Sequence, residues 1–191
     1  MATTLTEVQQ FLNGMDLKYR VDPKTKALLL SFDMDHYICP DSHEKSLTVV
    51  ITIEEDGEFI KVAAPLTFSL AEVEFPNEAR EVCLGVCYRT KMLQCEYDDS
   101  DGEVRFVIEF PLEDALLTQK QLERCIYGIA IMIDRFTPVF DLAVTTGQID
   151  WDLMTNNKPN TDLERMEMTD LLRAAGGAEG LREILRRREV K

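Results

Sequence analysis

The stretch Asp33-Met34-Asp35-His36-Tyr37-Ile38-Cys39-Pro40-Asp41-Ser42-His43-Glu44 holds both histidines of the chain, one of its five cysteines and four carboxylates. His36, Cys39 and His43 are separated by two and three residues. Wrapped round an ion they would offer imidazole and thiolate ligands to zinc, with a carboxylate as the fourth. The same residue types could also pair a thiol nucleophile with a base. Structural zinc sites, however, commonly use paired CxxC or HxxxH elements, and a catalytic dyad needs a rigid scaffold that Pro40 in a connecting segment does not supply. The stretch is therefore read as a solvated connection. A small metal- or thiol-dependent enzyme centred on His36, Cys39 and His43 is the alternative.

Asp98-Asp99-Ser100-Asp101-Gly102 suggests a calcium loop, but aligning Gly102 with the loop glycine puts Tyr97 at the first ligand position and Ile108 at the last. The pattern fails at both ends, and a tight hairpin turn explains it better. There is no GxSxG, GxxxxGK[ST] or GxGxxG motif. Cys83, Cys87, Cys95 and Cys125 lie in apolar periodic segments without CxxC spacing, as reduced thiols of a reducing compartment would. No catalytic residue, cofactor, metal or small-molecule substrate is expected from these patterns.

The elements that would position such groups follow from periodicity. Thr4-Leu5-Thr6-Glu7 has capping-box form, and Leu5, Val8, Phe11 and Leu12 follow at helical spacing to Asn13-Gly14. Leu17, Tyr19 and Val21, then Leu28, Leu30 and Phe32, alternate as a first hairpin about Asp22-Pro23. Leu47 to Ile53 and Phe59 to Val62 flank Asp56-Gly57 as a second, with a two-residue turn. An irregular segment from Pro65 to Phe75 precedes a helix from about Asn77 to Arg89. Leu93 to Tyr97 and Val104 to Phe110 make a third hairpin.

Thr118-Gln119-Lys120-Gln121 opens the longest helix, in which Leu122, Ile126, Ile129, Ile133, Phe136 and Phe140 recur, with a second row at Cys125, Met132, Val139 and Ala143. One side should pack on the sheet and the other meet a second copy, with Ile133, Phe136 and Phe140 as partner or dimer contacts. The competing reading encloses the helix within its own domain. Pro138 should kink or split it near Phe136-Thr137.

The expected fold is α+β: a twisted antiparallel sheet of hairpins with helices packed on it, in the order α-ββ-ββ-α-ββ-α. This domain spans 1–152. Residues 153–191 read as a linker and a helical C-terminal tail, with short patterns at Leu163 to Leu172 and Leu181 to Leu185. The tail's last 14 residues hold five basic and three acidic side chains.

The 191 residues carry 21 Lys and Arg against 35 Asp and Glu, a formal charge of -14. That balance disfavours nucleic acid and anionic membranes as partners. No signal peptide or membrane-length apolar run is read, so a cytoplasmic location is expected.

Leu5 to Leu12 leading into Leu17-Lys18-Tyr19-Arg20-Val21-Asp22, the Leu47 to Val62 hairpin with Asp56-Gly57, the Asn77 to Arg89 helix before Leu93 to Tyr97, and Leu116 to Leu122 together resemble the YbjN-like domain family. That family's fold is similar to the type III secretion chaperones. The resemblance covers about residues 3 to 147 and rests on apolar periodicity. It implies a non-enzymatic protein, chaperone-like or regulatory, that forms a homodimer and holds a segment of another protein. No active-site residues carry over.

Overall fold

The computed structural model describes residues 2–156. In chain order the elements are α1 (Leu5–Gly14), β1 (Arg20–Val21), β2 (Leu28–Asp33), β3 (Ser46–Glu54), β4 (Phe59–Ser69), α2 (Pro76–Arg89), β5 (Gln94–Tyr97), β6 (Glu103–Pro111), α3 (Gln119–Thr146) and α4 (Asp152–Asn156). The strands form one antiparallel sheet in the order β1-β2-β3-β4-β6-β5. The fold is α+β, as the alternating and helical periods predict.

Side-chain caps set the helix ends. Glu7 N–H donates to Thr4 Oγ1 at 3.3 Å and Thr4 N–H donates to Glu7 Oε2 at 2.8 Å, the reciprocal pair that satisfies two orphan donors of α1. Thr118 and Gln121 do the same for α3, at 3.2 and 2.9 Å. At the other end Gly147 has a φ of 69°, which suits glycine and lets its N–H reach the Ala143 carbonyl at 3.0 Å.

Register puts the apolar set on one face. Leu28 pairs with Ile51, Ile51 with Val62 and Val62 with Ile108, a buried row across four strands. α3 lies across β3, β4 and β6, and α1 and α2 pack against α3. The alternate positions, such as Thr48, Val50, Thr52, Lys61, Ala63 and Glu109, are partly or fully exposed. A one-residue slip would exchange these two sets, so burial of one face locks the register.

Four local features differ from the sequence expectation. β1 holds two residues instead of the run from Leu17. The second hairpin turns through four residues, Glu55 to Glu58, because Glu54 pairs with Phe59; Glu55, Asp56 and Gly57 all take positive φ. β4 continues through Pro65, where an irregular segment is predicted, at the cost of a register shift between Ala64 and Phe68. Leu66 N–H donates to Glu103 Oε1 and Thr67 Oγ1 to the Ala64 carbonyl, so side chains close the interrupted ladder.

α3 is the fourth. It runs unbroken past Pro138, which removes one backbone hydrogen bond at a cost of about 3 kcal/mol. Burial of Ile133, Phe136, Val139, Phe140 and Ala143 around it offsets that loss. Both expected tail helices, Leu163 to Leu172 and Leu181 to Leu185, lie outside the described residues, while α4 occupies the start of the predicted linker.

Candidate functional site

The histidine loop is anchored, not a free tip. Asp134, on α3, directs one carboxylate oxygen at the backbone N–H groups of Asp35, His36 and Tyr37, at 3.1, 2.8 and 3.0 Å. Tyr37 is 2% exposed, its hydroxyl donates to the Thr67 carbonyl at 3.0 Å, and its ring meets Phe68 edge-on. Burial pushes the Tyr37 phenol well above its ordinary range. Beyond Tyr37 the chain closes on itself through Cys39 N–H to the Glu44 carbonyl and His43 N–H to the Cys39 carbonyl, both 2.9 Å.

His36 and His43 are exposed, and Cys39 is half-buried. Hydrogen bonding to Ser42 lowers the Cys39 thiol from its ordinary value. Among the described residues no group of three or more His, Cys, Asp or Glu side chains is placed to hold a metal ion. The polar groups of Asp98 to Gly102 likewise close their own turn: Ser100 N–H and Oγ both donate to Asp98 Oδ1, and Gly102 N–H to the Asp98 carbonyl.

Ile133, Phe136 and Phe140, the expected partner or dimer contacts, are 0%, 0% and 3% exposed. This corrects that expectation. Phe140 stacks on Phe68 with ring centroids 3.9 Å apart, and Phe136 tilts against Phe106 at 5.0 Å. Of the second apolar row, Val139 and Ala143 are buried with α1 and α2 packed against α3, whereas the buried Cys125 and the partly buried Met132 border an opening. Most of the wide apolar face of this helix is explained by the sheet beneath it and by the packing of α1 and α2.

An open apolar surface occurs elsewhere. Two adjoining cavities of about 360 and 380 Å³ share Met92, Arg124 and Cys125, forming a groove between the end of α2, the segment before β5, the end of β6 and the first half of α3. Leu93, Ile108, Phe110 and Met132 give it an apolar lining. Gly128 leaves it open: a Cβ there would meet nothing nearer than Ile108 Cδ1 at 4.0 Å. Met92 is held at a φ of 67°, a left-handed conformation uncommon for a side chain of this size, and is 51% exposed. The Cys125 thiol on the floor is raised by burial.

Four cations surround this apolar lining: Arg89, Lys91, Lys120 and Arg124. Arg89 lies over the Trp151 ring at 3.7 Å and donates to the Gly85 carbonyl. Sequence reasoning missed the groove. Its one linear signal was Lys120 and Arg124 at i, i+4; the rest comes together only when α2 and α3 pack.

No protein-family profile and no curated protein matches the chain. Among solved structures, the fold is similar to YbjN from E. coli, at 12% identity and a TM-score of 0.49, over 72% of this chain and 94% of that one. It is also similar to a chain of the ExsC–ExsE complex, at 13% identity and a TM-score of 0.48, over 78% of this chain and all of the other. At such identities the likeness is one of fold, and neither neighbour's role passes to this chain.

Proposed function

We propose that the protein is a non-enzymatic, chaperone-like or regulatory binding module that holds a segment of a partner protein in the groove beneath Met92. The observation that carries this reading is an open apolar groove bearing an exposed methionine in a strained backbone conformation. Methionine is unbranched and polarisable, so it adapts to varied apolar side chains. Strained backbone of this kind costs on the order of 1 kcal/mol and clusters at binding sites. The division into a binding domain, 1–152, and a tail, 153–191, belongs to the same proposal, as does a cytoplasmic location. Among the described residues no helix is long and apolar enough to cross a membrane.

Affinity purification with the full chain tests the role, using Gly128→Leu as the control. The added side chain fills the groove where the backbone leaves space, so melting temperature should hold while captured partners are lost. An unchanged set of partners would refute the groove as the holding site. Met92→Gly should move stability and binding in opposite directions, raising the first by relieving strain and lowering the second.

Homodimer formation remains part of the proposal through other residues. Leu84 and Tyr88, four apart on α2, are 72% and 89% exposed and offer an apolar strip to a second copy. Light scattering should show a dimer that Leu84→Glu with Tyr88→Glu converts to monomer.

A further inference from the structure

The lining of the groove departs from the electrostatics of the rest of the chain. Asp and Glu outnumber Lys and Arg 35 to 21 in the sequence, yet no Asp or Glu lines either cavity, and four Lys or Arg do. Some basic side chains outside the groove are partnered within the chain: Lys61 pairs with Glu109, Arg105 with Glu96, and Arg80 lies over Tyr97 while bonding Asn77, whereas Lys18, Arg20, Lys24, Lys26 and Arg135 make no such contact among the described residues. Among the described residues Lys91, Lys120 and Arg124 have no hydrogen-bond or ion-pair partner. Lys120 and Arg124 are one turn apart on α3, so their charges project from the same side of the helix. Lys91 is next to Met92, on the opposite wall.

A surface whose walls are cationic and whose floor is apolar complements a ligand with carboxylates flanking apolar side chains. It does not suit a polyanion such as nucleic acid, because the charge on the remaining surface repels phosphates. We infer that the groove takes an acidic amphipathic segment of a partner protein, its apolar side chains against Met92, Ile108 and Met132 and its carboxylates over Lys91, Lys120 and Arg124. This rests on the holding role proposed for the same groove and names the chemistry of what is held. The chain's overall negative charge then acts as a filter, repelling acidic segments everywhere except at this groove.

The test is selection of a random displayed peptide library on the immobilised full-length protein, followed by fluorescence anisotropy of one enriched peptide. Enriched peptides should be net negative and contain two or more of Leu, Ile, Met and Phe. Lys91→Glu, Lys120→Glu and Arg124→Glu combined should weaken the chosen peptide by about tenfold or more, with the melting temperature kept, since three partly exposed charge contacts together approach 1.4 kcal/mol. Raising salt from about 50 to about 300 mM should weaken binding several-fold, because rim charges are screened. Gly128→Leu should abolish binding to the groove.

Enrichment of neutral or basic peptides, or binding that the triple reversal leaves intact, would overturn the acidic assignment while leaving the holding role standing. Acidic peptides that bind Gly128→Leu unchanged would overturn the assignment to this groove. Failure to enrich any peptide over a blank surface would count against both.

Discussion

Replacing Asp134 by Ala removes the acceptor that fastens the histidine loop to α3. One oxygen receives three backbone N–H groups, at 2.8 to 3.1 Å. A hydrogen bond to a charged group contributes about 1.5–3 kcal/mol. Three donors sharing one oxygen do not add, and those of Asp35 and His36 are exposed, so water replaces much of what they lose. The part-buried Tyr37 N–H dominates, and the net loss comes to about 2 kcal/mol. For a domain of this size that corresponds to a fall in melting temperature of about 4–8 °C. Asp134→Asn keeps a carbonyl oxygen at the same place and should lose roughly half as much. Thermal melting of the full chain, paired with hydrogen exchange at amides 35 to 37, reads both effects. If Asp134→Ala melts within about 1 °C of the parent, a shift equivalent to less than half a kcal/mol, and the three amides exchange no faster, the anchoring argument fails.

Phe136→Ala should destabilise the chain by about 3–5 kcal/mol as a core cavity; a variant that merely changed oligomeric state at unaltered stability would return Phe136 to a partner surface. Cys39 should be alkylated by iodoacetamide before Cys83, Cys87, Cys95 and Cys125, because Ser42 lowers its thiol while burial shields Cys83 and raises Cys87 and Cys125, and hydrogen bonding with Cys83, then burial, raises Cys95. Ser42→Ala should slow that first reaction at neutral pH, as peptide mapping by mass spectrometry would report. The Thr4 N–H, and then its hydroxyl, hold the Glu7 carboxyl below its ordinary value of 4.5. A lowered folded value adds stability above the ordinary one and loses it as pH falls through the lowered one. Melting of Glu7→Gln should therefore lie below the parent at neutral pH and converge with it in acid; a constant offset across the titration would contradict the capping role.

Much of the architecture was legible in the chain because it depends on local period and chemistry. Thr4 with Glu7, and Thr118 with Gln121, announce helix starts through groups three residues apart, and strands such as Leu47 to Ile53 declare themselves by alternation. The order of elements and the one-sided burial follow from these. The long apolar helix was legible as buried, but not by what: Ile133, Phe136 and Phe140 have the same pattern whether they meet a second copy or Phe68 and Phe106 of their own sheet. Periodicity reports that a face leaves water; it carries no address for the surface it meets.

The functional groups divide in the same way. Residue types alone singled out His36, Cys39 and His43, and the sequence determined that they share one loop. Only the tertiary structure decided that Asp134, about a hundred positions away, spends its carboxylate on that loop's backbone, so that the loop is anchored without its histidines converging. The groove is wholly a tertiary product. Arg89 and Lys91 approach Lys120 and Arg124 only because α2 packs on α3, and Gly128 and Met92 mark an opening whose walls are remote in sequence. A concave surface is defined by what neighbouring elements leave unfilled, and unfilled volume is not a property of any residue read singly.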